Sequence, residues 1–437
     1  MANNYTNILV IGAGLTGLSA AYHLKRDHIL LEKESKAGGM ASSEYVRGFL
    51  FDKTGHLLHF RTEFAKNLVR RLCGSRGLSR HKRSSWVFSK GTYTRYPFQV
   101  NTYKLPPLII KDCLVKMAEA QIALSETRNP HNFRDWILNN FGEGVARHFM
   151  FPYNRKFWRT PLCDMDTDWV DNLIPTTTLE EAVKGAVSDF RKSFGYNRVF
   201  YYPENGGIQK LTDSFSLRAK NNLHFKQKVV KIEPKEKIAT LSDGRTFRFD
   251  KIISTMPLPE LGKIIKGLPA DIKAKMNGLK YVSVFNINLG VDRQNISDKH
   301  WIYFPEEKYI FYRVGFMSNF SKDAAPKNGS SIYVEISYTK ESPLKYGRKA
   351  LRSRVIKNLK NAGILKNNDK IVASKSYDIK YAYPIHDTER KRLVCDIKKF
   401  LRDRNIYSVG RYGGWQYMTM EECMLEGKLT AETINSL

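Results

Sequence analysis

One short segment predicts much of the architecture: Asn7-Ile8-Leu9-Val10-Ile11-Gly12-Ala13-Gly14-Leu15-Thr16-Gly17. Its apolar first half is typical of a buried strand, and residues 18–24 continue it as a helix. Gly12 permits a tight turn, Gly14 lets the backbone approach a pyrophosphate, and Gly17 lets the helix pack closely on the strand. A helix N-terminus also offers unpaired N–H groups to an anion, so the segment predicts the dinucleotide-binding turn of a Rossmann-type domain.

An acidic residue follows at the position that such a turn requires. The apolar run His28-Ile29-Leu30-Leu31 predicts a second strand, and it ends at Glu32. This acid lies about 20 residues beyond the first glycine, where a carboxylate is expected to bind a ribose hydroxyl. The order of strand, glycine turn, helix and acid favours a dinucleotide site over a glycine-rich turn that binds nothing.

The residues after the acid distinguish between dinucleotides. The run Glu32-Lys33-Glu34-Ser35-Lys36-Ala37-Gly38-Gly39-Met40-Ala41 resembles the extended fingerprint of the flavin amine oxidase superfamily. In that superfamily a Gly-Gly pair brings backbone N–H groups to the cofactor phosphates, and a plain NAD-binding unit does not need it. The resemblance therefore implies FAD as the cofactor.

The size and the cysteines of the chain restrict its class. A chain of 437 residues can form more than one domain with a substantial core. No run of about 18 apolar residues and no basic region of a signal peptide is present, which predicts a cytoplasmic protein. The cysteines lack CxxC spacing, which favours a reducing compartment and argues against a metal site or a disulfide framework. They are Cys73, Cys113, Cys163, Cys395 and Cys423.

The chain is strongly basic, with 72 Lys and Arg residues against 43 Asp and Glu residues and a formal net charge of +29. Most of this excess is expected to be solvated surface. A specific nucleic-acid partner is not expected, because neither a recognisable module nor a basic tail is present. Peripheral association with an anionic membrane at its inner face and a cleft for an anionic ligand both stay open. The oligomeric state is not predicted.

Strand-like and helix-like segments alternate along the chain and predict an α/β fold. We expect a Rossmann-type FAD-binding domain with an inserted helical domain and a β-rich substrate domain. The expected boundaries are 1–60, 205–265 and 400–437 for a discontinuous FAD-binding domain, 61–204 for the mainly helical domain, and 266–399 for the β-rich substrate domain. Ligands should meet the flavin where these parts converge.

Five later segments carry distinctive aromatic and polar residues at residues 48–56, 96–99, 149–158, 301–313, and 383–384 with 410–417. Taken in order, they resemble UDP-galactopyranose mutase, most closely its eukaryotic-type branch. Together with the glycine turn, the resemblance covers nearly the whole chain.

The resemblance implies a set of site residues. The catalytic residues would be His56, Arg313 and Arg411, with a satisfied core histidine as the alternative for His56. The FAD-binding residues would be Gly12, Gly14, Gly17, Glu32, Gly38, Gly39, Met40, Val230, Gly410 and Met420. The substrate-binding residues would be Tyr96, Phe98, Gln99, Phe149, Asn154, Trp158, Asn197, Trp301, Tyr303, Arg313, Tyr383 and Tyr417.

The chemistry of several residues fits a uracil base independently of the family. Tyr96, Phe98 and Phe149 provide flat aromatic surface for the ring. Gln99 and Asn154 carry amides that donate and accept, which suits the edge of uracil. For Tyr96 and Phe98, the end of a core strand is the alternative.

Other residues fit a buried diphosphate. Arg313 offers a planar fork of donors, and Tyr383 and Tyr417 offer hydroxyl donors. A buried salt-bridge partner is the alternative for Arg313. Trp301 and Tyr303 lie in an aromatic-rich hairpin, where a core position is the alternative.

Two positions depart from the family pattern. The family carries an arginine four positions after the tryptophan that corresponds to Trp169, and this chain has Leu173 there. Bacterial members have an aspartate where this chain has Thr419. Either Arg155, Arg159 or another base replaces the missing cation, or the sugar differs from galactose.

The resemblance implies a mutase that interconverts UDP-hexopyranose and UDP-hexofuranose without net redox change. Reduced FAD would act as the nucleophile at the anomeric carbon, NAD(P)H would be the reductant, and the product would serve cell-surface polysaccharide biosynthesis. Two alternatives remain. One is an FAD-dependent oxidase of the amine oxidase or protoporphyrinogen oxidase type, and the other is a basic scaffold protein with a vestigial Rossmann domain.

Overall fold

The computed structural model describes residues 4–74, 76–123, 130–170, 173–192, 194–195 and 198–437. The strands are β1 (Asn4–Ile11), β2 (His28–Leu31), β3 (Ser43–Val46), β4 (Phe49–Asp52), β5 (Leu78–Lys82), β6 (Ser85–Ser89), β7 (Thr92–Arg95), β8 (Val199–Pro203), β9 (Leu223–His224), β10 (Val229–Glu233), β11 (Ile238–Leu241), β12 (Thr246–Ser254), β13 (Tyr281–Val291), β14 (Trp301–Tyr303), β15 (Arg313–Phe316), β16 (Ser330–Tyr338), β17 (Ile371–Pro384) and β18 (Ile406–Ser408). The helices are α1 (Leu15–His23), α2 (Glu63–Cys73), α3 (Pro107–Ala123), α4 (Phe133–Val145), α5 (Phe151–Trp158), α6 (Leu179–Val187), α7 (Gln209–Arg218), α8 (Leu258–Ile264), α9 (Ala270–Gly278), α10 (Arg348–Asn361), α11 (Arg390–Arg402), α12 (Gly410–Gly413) and α13 (Met420–Ser436).

The first sheet has the order β10-β11-β12-β1-β2-β9, with β18 beside β12. Its centre is parallel, since β1 runs parallel to both β2 and β12, and β12 runs parallel to β18. Ile8, Leu9 and Val10 of β1 are almost fully buried, because layers cover both faces of the sheet. The carboxyl ends of these parallel strands therefore meet at one edge, where a doubly wound sheet binds its ligand.

The second sheet has the order β17-β13-β16-β15-β14-β6-β7. Strands β6 and β7 come from residues 85–95, inside the segment that the sequence predicts to be mainly helical. Along β13, Phe285, Ile287 and Leu289 pack in one hydrophobic core with residues of α10. Because side chains alternate across a strand, Asn286 and Asn288 point to the opposite face. One face of this sheet is thus apolar and the other polar.

The helices α3 to α6 form a third layer with its own aromatic core, which includes Phe98, Phe133 and Phe149. A π-helical turn at Ala146–Met150 connects α4 to α5. The same core includes Val282 of β13 and Ile385, so it continues onto the second sheet. The α/β class predicted from the sequence is confirmed. In the described part of the chain, no helix combines the length and the apolar character needed to span a membrane.

Candidate active site

The glycine turn between β1 and α1 has the geometry that its sequence predicts. Gly12 has φ +99°, and a Cβ there would lie 2.4 Å from Oγ1 of Thr255. At Gly17, a Cβ would lie 2.0 Å from the carbonyl oxygen of Gly12. Gly14, in contrast, has no neighbouring atom within 4 Å of such a Cβ. The turn is therefore closely packed at its two ends and open in the middle, where a pyrophosphate would approach.

Gly14 is also the N-cap of α1, and no side chain caps this helix end. The first N–H groups of a helix lack partners within the helix. Together with the helix dipole they form an anion site. The turn thus fits the phosphates of a dinucleotide.

Glu32 lies at the carboxyl end of β2 and is 6% exposed. One of its carboxylate oxygens accepts a hydrogen bond from the N–H of Ala13 (2.8 Å), and the other accepts from the N–H of Glu34 (2.9 Å). An ionised carboxylate has about four acceptor positions, so capacity remains for a ribose hydroxyl.

The Gly-Gly pair lies directly against the glycine turn. The N–H of Gly38 donates to the carbonyl oxygen of Ala13 (2.8 Å). Gly38 and Gly39 have φ values of +121° and +58°, which other residues rarely adopt. A Cβ at Gly39 would lie 3.4 Å from Cα of Gly14. Two segments that are distant in sequence therefore form one glycine-lined cradle.

The remaining FAD residues predicted from the sequence lie around the same region. Gly410 has φ +82°, and a Cβ there would lie 2.6 Å from Oγ1 of Thr16 in α1. Met40 packs in a small cluster with residues of the second sheet. Val230 lies where the register between β10 and β11 shifts, so it is left out of the regular ladder. Met420 begins α13. Their contacts with FAD stay predictions.

The polar face of the second sheet aligns several site residues in one row. Tyr377, Asn286, Glu335, Arg313 and Tyr303 are direct partners across β17, β13, β16, β15 and β14. Side chains that are opposite each other on one face of a sheet are close neighbours. The strand register therefore places Arg313 between a carboxylate and an aromatic ring.

Glu335 holds Arg313 through a two-pronged ion pair. Nε and Nη2 of Arg313 donate to the two carboxylate oxygens at 2.5 and 2.9 Å. The Glu335 side chain is fully buried, whereas that of Arg313 is 20% exposed. Burial lowers the pKa of Arg313, but Glu335 and the neighbouring tyrosines together raise the pKa well above the usual value. Nη1 is left free of this ion pair, so the guanidinium can still bind an anion.

The sequence analysis did not identify Glu335. The signal for this residue is the strand register, because residues 313 and 335 lie far apart in sequence and become partners only when β15 pairs with β16. The salt-bridge alternative for Arg313 and the ligand prediction are compatible, since the ion pair uses one side of the guanidinium.

His56 lies between two positive charges. Burial, together with the smaller effects of the charges of Arg411 and Arg313, lowers its pKa to about 4. Its Nδ1 is 3.0 Å from the carbonyl oxygen of Thr54, so Nδ1 carries the proton. His56 is consequently neutral at pH 7, with Nε2 as an acceptor.

The loop that carries His56 is fixed to the second sheet. Nδ2 of Asn286 donates to the carbonyl oxygen of Lys53 (2.8 Å), and Nδ2 of Asn288 donates to that of Asp52 (3.0 Å). Gly55 lies against the ring of Tyr333, where a Cβ would be 2.3 Å from the phenolic oxygen. These contacts hold the histidine loop on the polar face.

An aromatic column forms the proposed uracil end of the site. Phe98 and Phe149 stack with ring centroids 5.0 Å apart, and Phe149 stacks on Tyr153 at 5.4 Å. Tyr303 contacts both Tyr153 (5.3 Å) and Tyr96 (5.1 Å). Tyr153 was not predicted as a site residue, although it lies in a recognised motif. It connects the predicted aromatic residues into one surface.

Gln99 and Asn154 are both buried beside this column. The side-chain amide of Gln99 donates to the carbonyl oxygen of Pro175 (2.9 Å), and that of Asn154 donates to Met150 (2.8 Å). Their amide nitrogens therefore have a structural role, and their carbonyl oxygens are the groups left for a ligand. Trp158 is buried, and its indole N–H has no hydrogen-bond partner among the described residues.

Two other predicted substrate residues need separate mention. Trp301 is 3% exposed and packs in the main core, with its ring centroid 6.1 Å from that of Phe200. Its role as a ligand stays a prediction. Asn197 lies outside the described residues.

Lys156, a basic residue of the motif at 149–158, has a structural role. Its side chain is buried, and Nζ donates to the carbonyl oxygens of Phe304 and Glu306, both at 2.9 Å. Burial lowers its pKa to about 7. The lysine thus connects α5 to the turn that follows β14, and Tyr303 is the last residue of β14.

Tyr383 and Tyr417 form the opposite end of the site with Arg411. Their rings stack with centroids 5.9 Å apart. The guanidinium of Arg411 lies 5.0 Å from the ring of Tyr383 and 4.6 Å from that of Tyr417. Arg411 also donates to the carbonyl oxygens of Met418 (2.7 Å) and Ala382 (3.1 Å). The predicted diphosphate tyrosines thus lie together beside a fixed cation.

The structure gives a local reason for Thr419. This residue is the N-cap of α13, where its Oγ1 accepts from the N–H of Glu422 and the carboxylate of Glu422 accepts from the N–H of Thr419. Aspartate and threonine are both favoured at such positions. In this chain, residue 419 therefore has a capping role that either residue type could fill.

Leu173 occupies the position of the family's additional arginine, so this position has no positive charge. Arg155 is exposed, and Nε of Arg159 donates to the carbonyl oxygen of Ser337 (3.1 Å). Arg411 lies against both predicted diphosphate tyrosines, but it belongs to the family pattern itself and does not replace the missing arginine. Among the described residues, no group of His, Cys, Asp and Glu is arranged to hold a metal ion.

The fold and the glycine cradle define a class of flavoprotein. Residues 15–435 match the model of the family described as flavin containing amine oxidoreductase, and the chain belongs to this family. Its cofactor is FAD, which the open glycine turn fits.

Solved structures give a more particular likeness. A structure of reduced UDP-galactopyranose mutase matches with a TM-score of 0.93 and 29% identity, covering 99% of this chain and 96% of that chain. The resemblance to this mutase found in the sequence is confirmed.

More distant structures share the fold alone. Wild-type putrescine oxidase bound to putrescine matches with a TM-score of 0.68 and 13% identity over 100% of both chains. The fatty acid isomerase from P. acnes that produces CLA matches with a TM-score of 0.67 and 14% identity over 98% of both chains. Because an oxidase and an isomerase share this fold, the fold does not decide between oxidation and isomerisation.

Proposed function

We propose that this flavoprotein is a nucleotide-sugar mutase that interconverts UDP-hexopyranose and UDP-hexofuranose. The observation that carries the proposal is a group of two arginines and two tyrosines near the histidine loop, whose donors suit an anion. Arg313 and Arg411 both lie near enough to His56 to lower its pKa, and Arg411 contacts Tyr383 and Tyr417. An oxidase of amines has no need for two arginines and two tyrosines at this point.

When bound and reduced, FAD supplies the nucleophile for the anomeric carbon. The protein's own residues then act on the leaving group. Arg313 binds the diphosphate with the side of its fork that faces away from Glu335. The hydroxyls of Tyr383 and Tyr417 donate to the phosphate oxygens as UDP departs. Donors fixed in advance stabilise developing charge at little cost of reorganisation.

The opposite end of the site orients the nucleotide. Phe98, Phe149 and Tyr153 offer a stacked surface for uracil, and the carbonyl oxygens of Gln99 and Asn154 accept from its N–H group. Binding energy at the uracil end would then fix the position of the sugar near the histidine loop. His56 remains neutral and accepts a hydrogen bond through Nε2 without adding charge to the pocket.

Finer parts of the proposal depend on the sequence resemblance. They are NAD(P)H as reductant and supply of sugar for cell-surface polysaccharide. A cytoplasmic location is proposed from the cysteine pattern, and peripheral attachment to an anionic membrane stays an option on the net charge of +29. The cysteines support a reducing compartment, since those in the structure are free thiols.

The reaction is tested with the purified flavoprotein, reduced with dithionite under anaerobic conditions. UDP-galactofuranose and a panel of other UDP-furanoses are added, and the products are separated by chromatography. We expect conversion to the corresponding pyranose with reduced enzyme and none with oxidised enzyme. In a separate aerobic assay without dithionite, oxygen consumption on addition of a substrate, with no isomerised product, would instead identify an oxidase.

A further inference from the structure

The segment that presents Tyr417 begins with a strained residue. Trp415 has φ +48°, a left-handed conformation that is rare for bulky side chains. Its side chain is fully buried in the core beside the first sheet, whereas Tyr417, two residues later, lies in the candidate site. Strain of this kind persists only where the surroundings hold it.

Two side chains hold this segment by its backbone. Nη1 of Arg390 donates to the carbonyl oxygen of Trp415 (3.2 Å). The N–H of Tyr417 donates to Nε2 of His386 (3.0 Å). Arg390 and His386 are 8% and 4% exposed. The strained turn is thus bound on both sides of residue 416.

Both side chains end on the same carboxylate. Nδ1 of His386 donates to one oxygen of Asp168 (2.8 Å), and Nη2 of Arg390 donates to the other (2.5 Å). We call Asp168, His386 and Arg390 the Asp168 clamp. The clamp links the end of the helical layer to the segment at 415–417.

The charge states of the clamp follow from its hydrogen bonds. Nε2 of His386 accepts from a backbone N–H, so the proton is on Nδ1 and the ring is neutral. Burial lowers the pKa of His386, and the hydrogen bond to Asp168 opposes this effect. Burial would raise the pKa of Asp168, but the hydrogen bond from His386 and the nearby charges hold it at about 2.

We propose that the Asp168 clamp is a positioning device that holds the strained turn at Trp415 and so keeps Tyr417 stacked on Tyr383. The proposal rests on the proposed role of Tyr417 as a diphosphate ligand. If the clamp loosens, Trp415 can relax to an ordinary conformation, and the ring of Tyr417 leaves Tyr383 and Arg411. UDP binding and turnover fall, while FAD stays bound by the glycine turn between β1 and α1.

The clamp also predicts that activity is lost at low pH, when His386 becomes protonated; we call this pH the acid limit. If Nε2 of His386 gains a proton, it can no longer accept from the N–H of Tyr417. Two donors then face each other, and the hydrogen bond is lost. The charged groups around the ring are Asp168, Arg390, Lys391, Asp166, Arg411 and the ion pair of Lys280 with Asp387. Because the pKa of His386 is lowered, this limit lies below pH 6.5.

Two substitutions at one position separate the hydrogen bonds of His386. In His386→Gln the amide reaches the position of Nε2 and can accept from Tyr417. In His386→Asn the amide reaches the position of Nδ1 and can donate only to Asp168. We expect the Asn variant to lose about tenfold in UDP affinity and in kcat, and the Gln variant to retain most of both. Both should keep their flavin, and the acid limit should disappear from the pH profile of the Gln variant.

His148→Asn is the matched control, because it removes a histidine hydrogen-bonded to an aspartate (Asp112) outside the site. Asp168→Asn gives a second probe of the clamp if His386→Asn fails to fold. Failure of wild-type protein to bind UDP would contradict the proposed function. The clamp is tested separately by crystal structures of the variants. An unmoved Tyr417 ring in both His386→Asn and Asp168→Asn would overturn it.

Discussion

At the scale of single residues, Arg313 pairs with Glu335 and is proposed to bind the diphosphate. A substitution by alanine removes both roles together. Removal of the arginine leaves Glu335 buried and unpaired, which typically costs about 3–5 kcal/mol of stability. We expect Arg313→Ala to lose UDP binding, turnover and thermal stability together, with FAD retained in the folded fraction. Thermal unfolding and UDP titration measure the two losses.

The double variant Arg313→Ala/Glu335→Gln separates these roles. It removes the unpaired charge, so most of the lost stability should return while UDP binding stays absent. Recovery of UDP binding in the double variant would show that Arg313 is a structural residue and not a ligand.

Asp52 should make stability depend on pH. Its carboxyl group is 1% exposed, and burial raises its pKa from 3.8 to about 7. The folded protein therefore binds this proton more tightly than the unfolded chain, and the contribution to stability is lost as pH rises from about 4 to about 7. The difference in unfolding free energy between wild type and Asp52→Asn should change across this range, as measured with denaturant. A constant difference would contradict the assignment.

Residue-level chemistry was predictable where a local motif carries it. Gly12, Gly14 and Gly17 have the packing that their spacing predicts, because a turn between a strand and a helix is a local structure. Glu335 and Tyr153 were missed for different reasons. Glu335 acquires its role only by pairing with a distant strand, and Tyr153 is one of several aromatic residues in α5.

At the scale of elements, the start of α13 allows a test of the role of Thr419, which stands where bacterial members have aspartate. Thr419 and Glu422 cap this helix reciprocally. Thr419→Ala should lose about 1 kcal/mol of stability, and Thr419→Asp should lose little, since aspartate caps equally well. Denaturant unfolding compares the two variants. Equal losses in both would show that the cap is not the role of this residue.

Strand pairing explains the elements that the sequence did not predict. Residues 85–95 form β6 and β7 within a region whose pattern is mainly helical, and β6 joins β14 in the second sheet. Such partners are more than 200 residues apart, and no local period indicates them. The alternation along β13 does indicate one apolar and one polar face, but the sequence does not show which strand supplies each neighbour.

At the scale of the whole molecule, the site depends on segments that converge from all parts of the chain. His56, Arg313 and Arg411 come from the histidine loop, the second sheet and α12, and both arginines lie near enough to lower the pKa of His56. The resemblance of ordered motifs predicted these residues as a group. Their geometry required the three-dimensional packing of two sheets and a helical layer, which a single sequence does not specify.

The central claim is that FAD here takes part in an isomerisation and undergoes no net oxidation. The most direct test follows the flavin spectrum under anaerobic conditions while dithionite-reduced enzyme converts a large molar excess of UDP-galactofuranose. The account predicts many turnovers with the flavin still reduced at the end. Flavin that is reoxidised in step with the substrate consumed would contradict it, because electrons would then pass from the flavin to the substrate and the reaction would not be an isomerisation.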